Sequence, residues 1–127
     1  MSKFNWQDYY TFACLCLDKN NPCFQQVPIA SKRSSVSRNY YAVFCLARNK
    51  AEERFSFKKS SSPEDHESIR RIYNNNNNSG IANSLNTLRK MRNDCDYKDV
   101  IDESKLDIYS KKSNILTVKI INSLQKI

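Results

Sequence analysis

The chain has 127 residues, with 21 Lys and Arg against 13 Asp and Glu, and a net charge of +8. That length suits one domain, residues 1–127, which buries roughly two-thirds of its unfolded surface without disulfide or metal staples. A single Gly and three Pro leave too few tight-turn residues for a β-rich fold, and no apolar run approaches the roughly 20 residues that span a bilayer.

The elements read as helices throughout. Asn5-Trp6-Gln7-Asp8 is an N-cap followed by an acidic first turn, and Trp6, Tyr10, Ala13 and Leu17 recur behind it at helical spacing, widened by Tyr9 and Cys16. Turn chemistry at Asn20-Asn21-Pro22 stops this helix near Asp18, and Pro22 to Pro28 reads as a connection. From Ala30 to Phe55 there is neither Gly nor Pro, and Val36, Tyr40, Val43, Phe44 and Ala47 form the inward stripe of the longest helix. Tyr41, Cys45 and Arg48 lie beside that stripe. After a polar break at Lys58 to Ser62, Ser62-Pro63-Glu64-Asp65 starts a short helix carrying His66, Ile69, Ile72 and Tyr73. The asparagine run and Ser79-Gly80 predict a flexible loop over 74–80. The next helix, from Ile81, sets Ile81, Leu85, Leu88, Arg92 and Cys95 on one face, so a cation interrupts an apolar stripe. A last helix begins near Asp102 and uses Leu106, Tyr109, Leu116, Ile120 and Leu124, with Ile108 and Ile115 on an adjoining face. The expectation is an all-α fold, an antiparallel bundle of four or five helices.

The N-terminal MSKFNWQDYY has no apolar signal core. Cys14, Cys16, Cys23, Cys45 and Cys95 are odd in number, form no CxxC pair and share the chain with one histidine, so neither a zinc site nor another cofactor is expected. Idle thiols in a reducing cytoplasm are the plain reading. Positive charge is concentrated between Ala30 and Lys59, where Lys32, Arg33, Arg38, Arg48, Lys50, Arg54, Lys58 and Lys59 face only Glu52 and Glu53. A basic face of this kind suits a phosphate-bearing partner such as RNA, and equally a solvated helix surface.

Two segments resemble one family. Ser37-Arg38-Asn39-Tyr40-Tyr41-Ala42-Val43-Phe44 is similar to the SRxYYAxF signature of small prokaryotic HEPN-domain proteins, and Leu88-Arg89-Lys90-Met91-Arg92-Asn93-Asp94-Cys95-Asp96-Tyr97 to their later LRxxRNxxDY segment. The resemblance covers most of the chain from Trp6 onward, and His66 sits between the segments where many such proteins carry a histidine. It implies a helical bundle that commonly dimerises. Many members are metal-independent endoribonucleases, often toxins of toxin–antitoxin pairs or antiviral defence effectors. Their site is an Arg, a polar residue and a His four to six residues after the Arg. Other members have no nuclease activity and act as partners of nucleotidyltransferases or as binding modules.

Here Arg92 and Asn93 match, and Tyr97 stands where the histidine belongs. Metal-free cleavage of RNA needs groups that take a proton from the 2′-OH and return one to the leaving oxygen, a task that suits imidazole near pKa 6.5 better than phenol near 10. The candidate catalytic set is therefore Arg92, Asn93, Tyr97 and His66. Arg92 is either a phosphate grip or a buried cation paired with Asp94 or Asp96. Tyr97 is a catalytic substitute, a site for nucleotidylation by a partner enzyme (as in related toxins), or an aromatic closing the helix end. Arg38, Arg48, Lys32 and Arg33 are the candidate nucleic-acid contacts, with Arg38 either sharing the cleft of Arg92 or pairing with Asp96. Tyr40, Tyr41 and Phe44 are core aromatics or base-stacking platforms.

Overall fold

Side-chain hydrogen bonds mark the starts of some of the helices in the computed structural model, which describes residues 3–127. Met1 and Ser2, part of the expected domain, lie outside the described residues. Asn5 Oδ1 accepts the Gln7 N–H at 3.1 Å ahead of α1 (Gln7–Cys16). Asn21 Oδ1 accepts the Cys23 N–H at 2.9 Å, and Pro22 occupies the first position of a short α2 (Pro22–Gln26). The segment expected as a connection thus holds a helix, because an Asn cap followed by Pro is itself a helix start. Then come α3 (Pro28–Arg54), α4 (Asp65–Asn75), α5 (Ser79–Tyr97) and α6 (Glu103–Gln125), the last capped by Asp102, which accepts the Ser104 N–H at 3.2 Å.

All regular structure among the described residues is helical, as expected, and none of these helices is long and apolar enough to cross a membrane. The central element is α3, packed by α1, α5 and α6 on different sides. It is buried around most of its girth, which explains why small polar residues, Ser31, Ser35, Ser37 and Asn39, lie inside with Val36, Tyr40, Val43 and Ala47. Small side chains let the neighbouring helices approach closely. Ile69 and Tyr73 of α4, Leu85 and Leu88 of α5, and Leu106 and Ile120 of α6 complete the core, each contributing about 1.5–3 kcal/mol by leaving water.

Buried polar groups tie the layers together. Asn39 Nδ2 donates to Ser113 Oγ at 3.1 Å and Asn114 Oδ1 at 2.7 Å across the α3–α6 contact. Tyr73 donates its hydroxyl to the Ala47 carbonyl at 2.7 Å, fixing α4 on α3. The stripe expected on α5, Ile81, Leu85, Leu88, Arg92 and Cys95, is buried in full, cation included. On α6, Leu106, Ile120 and Leu124 are buried and Tyr109 and Leu116 pack against the core, whereas Ile108 and Ile115 on the adjoining face stay exposed. The loop expected over 74–80 contracts to a turn. Asn74 and Asn75 finish α4, Ser79 and Gly80 begin α5, and only 76–78 remain between them. Asn77 adopts φ 62°, and the Asn78 N–H reaches back to the Tyr73 carbonyl at 2.8 Å, the bond of a Schellman cap.

Candidate functional site

An open cleft of about 490 Å³ lies where α3, α4 and the end of α5 meet. Its floor comes from Tyr41, Phe44 and Arg48 of α3, one side from Asp65 and His66 of α4, and the other from Arg89, Arg92 and Tyr97 of α5. The loop before α4 adds Lys59, Ser61, Ser62 and Pro63. Asp65 holds that loop in place. Its carboxylate accepts the Ser60 hydroxyl at 2.6 Å and the Ser60 N–H at 3.0 Å, bonds that lower its pKa and keep it ionised. Ser61, on the cleft wall, takes the left-handed region at φ 60°, sparsely populated by residues with a Cβ.

Arg92 is only 7% exposed yet borders the cleft. Its guanidinium lies over Tyr40 at 5.3 Å, Tyr41 at 5.2 Å and Tyr97 at 6.0 Å, so three aromatic faces offset the loss of hydration. Asp96 is its acid, through a long contact of 3.5 Å, and Ser37 shares the same carboxylate oxygen at 3.3 Å. Asp94 is committed elsewhere, to the Tyr109 hydroxyl at 2.7 Å and Lys98 at 3.2 Å. The Nε of Arg92 and the Nε of Arg89 are both buried without a hydrogen-bond partner. With one long ion pair, that of Arg92 with Asp96, the two arginines are under-neutralised, a state in which an anion is welcome.

His66 stacks on Phe44, with ring centroids 4.1 Å apart and planes 14° from parallel, and its Nδ1 makes a short hydrogen bond with the Tyr40 hydroxyl. Burial pulls its pKa down, with the charges of Arg92, Arg89 and Arg70 acting the same way against Asp65, to about 4. The imidazole is therefore neutral at pH 7. Burial also raises the Tyr40 pKa well above its ordinary value, so this phenol stays neutral beside Nδ1. Either ring tautomer satisfies the bond to Tyr40, with Nδ1 accepting in one and donating in the other. Tyr97 is 74% exposed at the rim, and so is no core aromatic closing the helix.

The fold thus gathers Arg92, Tyr97 and His66 onto one cleft. Asn93, the fourth expected catalytic residue, is half-buried and is not part of the cleft wall. Of the four expected nucleic-acid contacts, Arg48 alone lines the cleft, its guanidinium 5.7 Å from the Trp6 ring. Arg38 neither joins the cleft nor pairs with Asp96; it lies over Tyr9 at 5.0 Å and Tyr41 at 5.6 Å. Lys32 pairs with Asp107 at 2.7 Å and Glu103 at 3.5 Å, fastening α3 to α6. Arg33 donates to the carbonyls of Cys95, Lys98 and Asp99 at 3.1, 2.6 and 3.4 Å and so caps α5. Both cations serve the fold. Tyr40 and Phe44 are core residues, as the plain reading had it, and they also hold His66.

Sequence reasoning missed Arg89 and Lys59 as cleft residues. Arg89 had a signal, since it stands one helical turn before Arg92 and shares its face. Lys59 was legible only as one charge of the basic segment, because its place in the cleft depends on how Asp65 folds the loop back. No protein-family model, curated protein or solved structure matches the chain.

Proposed function

We propose that the cleft grips a phosphodiester of single-stranded RNA and that the protein is a HEPN-like toxin or host-defence protein, a metal-independent endoribonuclease. The observation that carries this reading is the convergence of Arg92, Tyr97 and His66 on one cleft lined by four cations, Arg48, Lys59, Arg89 and Arg92, and one acid, Asp65. The two segments that resemble the HEPN signatures supply Arg92 and Tyr97 from one and Phe44, which carries His66, from the other. The family likeness extends the reading to a cytoplasmic protein that works as a homodimer or as a subunit of a larger assembly, with an antitoxin or nucleotidyltransferase as a further partner.

In this mechanism Arg92 and Arg89 bind the non-bridging oxygens and stabilise the extra charge of the phosphorane. The 2′-oxygen forms its bond to phosphorus as the bond to the 5′-oxygen breaks, giving a 2′,3′-cyclic phosphate and a 5′-hydroxyl. Tyr97 or His66 moves the protons. Burial depresses the His66 pKa most, and a bound phosphate offsets the smaller push of the guanidiniums. Purified protein incubated with labelled mixed-sequence RNA in excess chelator tests this. Cleavage with cyclic-phosphate ends is expected, reduced at least about a hundredfold by Arg92→Ala. Intact RNA at every protein concentration overturns the nuclease reading.

One observation favours a second reading, a non-catalytic subunit that binds nucleic acid or a nucleotide or docks a partner protein. Burial lowers the His66 pKa to about 4, and one ring nitrogen is taken by Tyr40, which makes the imidazole a weak base at pH 7. On that reading RNA is bound in the same assay and recovered uncut.

A further inference from the structure

A second groove lies beside the cleft, lined by Arg70, Arg71 and Asn74 of α4 and by Asn83 and Asn86 of α5, with Glu67 at one edge. Its position follows from the helix directions. The three-residue turn at 76–78 makes α4 and α5 antiparallel neighbours, so walking forward along α4 is walking backward along α5. The cleft takes His66 from the start of α4 and Arg89 and Arg92 from the later part of α5. The groove takes the residues one and two turns further along α4 and one and two turns earlier along α5. Cleft and groove therefore follow each other along one seam. Arg70 joins them, since its Nη1 donates to the His66 carbonyl at 3.2 Å and its charge reaches the imidazole.

The chemistry changes along this line. Arg89, Arg92, Arg48 and Lys59 make the cleft a phosphate site, whereas the groove offers three amides and two guanidiniums, that of Arg71 in an exposed ion pair with Glu67 at 3.1 Å that an incoming phosphate can exchange. Amides both donate and accept, which suits base edges, and arginines serve the phosphates between them. From Arg92 back to Asn83 the helix rises about 13 Å, longer than one phosphate group needs. We infer that the α4–α5 seam is an extended subsite for the nucleotides next to the phosphate held in the cleft, so that the ligand is a single-stranded RNA several nucleotides long rather than a mononucleotide. This rests on the phosphodiester reading of the cleft and goes beyond it by assigning Arg71, Asn83 and Asn86. It also gives Asn74, the first residue of the asparagine run, a place in a binding surface.

Fluorescence anisotropy of the full chain with 2′-fluoro oligouridylates of two and eight nucleotides tests the inference, since these ligands cannot be cut through a 2′-hydroxyl. The octamer is expected to bind at least tenfold tighter than the dimer. Arg71→Ala, at an exposed position, and Asn86→Asp, at a half-buried one, weaken the octamer by about tenfold and leave the dimer unchanged. Removing Arg71 also lowers the log–log salt slope for the octamer by about 0.7, the loss of one neutralised phosphate. Equal affinity for both lengths, or an octamer indifferent to both variants, overturns the extended subsite while leaving the cleft reading intact. Absence of binding at either length overturns both.

Discussion

Burial and the charge of Arg92 hold His66 in an unusual state. A guanidinium 7% exposed, with one acid at 3.5 Å, acts on an imidazole already desolvated between Phe44 and Tyr40. Each unit of pKa shift is about 1.4 kcal/mol of differential interaction, reduced where solvent reaches the ring, so the pair links protonation to folding and to ligand binding. The sign follows from a folded pKa of about 4 below the ordinary 6.5. Between those values the unfolded chain binds more protons than the native one. This group's contribution to stability is therefore complete above pH 6.5 and is lost as pH falls toward 4. Titration of the His66 ring by NMR is expected to give a midpoint near 4, moving upward in Arg92→Met, where a chain of similar length carries no charge. A midpoint near 6.5 in the native protein, or no movement in the variant, contradicts the arrangement. The residue types of this site were legible in the sequence, because a cation on an apolar stripe and a lone histidine both stand out. Their states were not, since desolvation comes from Phe44 and Tyr40 on another helix.

At the scale of elements, the turn between α4 and α5 shows what composition can and cannot say. Five consecutive asparagines and a Ser-Gly pair signal a break in helix, and the break occurs. Its length depends on a backbone hydrogen bond. The Asn78 N–H returns to the Tyr73 carbonyl at 2.8 Å, Asn76 Nδ2 donates to the Ile72 carbonyl at 2.8 Å, and Asn77 turns to φ 62°. Asparagine tolerates this left-handed conformation and alanine does not, at a cost of about 1–2 kcal/mol. Asn77→Ala should lower the urea midpoint accordingly, and Asn77→Gly should leave it unchanged or raise it slightly; an unaffected alanine variant would mean that the turn does not depend on this residue's conformation. The opposite end of α5 is closed from a distance, by Arg33 on three carbonyls. Nothing near Tyr97 announces that cap, as donor and acceptors are more than sixty residues apart in the chain.

Across the whole molecule the basic segment from Ala30 to Lys59 divides by function. Lys32 and Arg33 are absorbed in fastening α3 to α6 and α5, Arg38 lies on aromatic rings, and Arg48 and Lys59 face the cleft with Arg89 and Arg92. Net charge thus overstated the basic stretch as a binding face, and the later segment of the chain supplies half of the cleft's cations. The same central helix carries the Asn39 bridge to α6, a polar contact inside an otherwise apolar layer. Asn39→Ala leaves Ser113 and Asn114 without that partner in a buried or half-buried setting and is expected to cost about 2 kcal/mol by urea denaturation. A cost below about 0.5 kcal/mol would show that water replaces the amide there. An amide inside α3 reads from the sequence as a polar residue on a helix flank, and its cross-helix partners become visible only in the packed bundle.

Periodicity and capping residues settled the helical class, the order of the long helices and the burial of Val36, Tyr40, Leu85, Leu88 and Ile120, because those follow from local backbone preference and from how side chains repeat along one helix. The cleft required more. Arg92, His66 and Tyr97 meet through the crossing of α3, α4 and α5, Lys59 arrives through the Asp65 loop, and Lys32 and Arg33 leave the binding surface for partners far along the chain. Those outcomes depend on which charges find which partners in three dimensions, and the strength of such pairings is set by burial, a property of the packed molecule that no stretch of sequence carries alone.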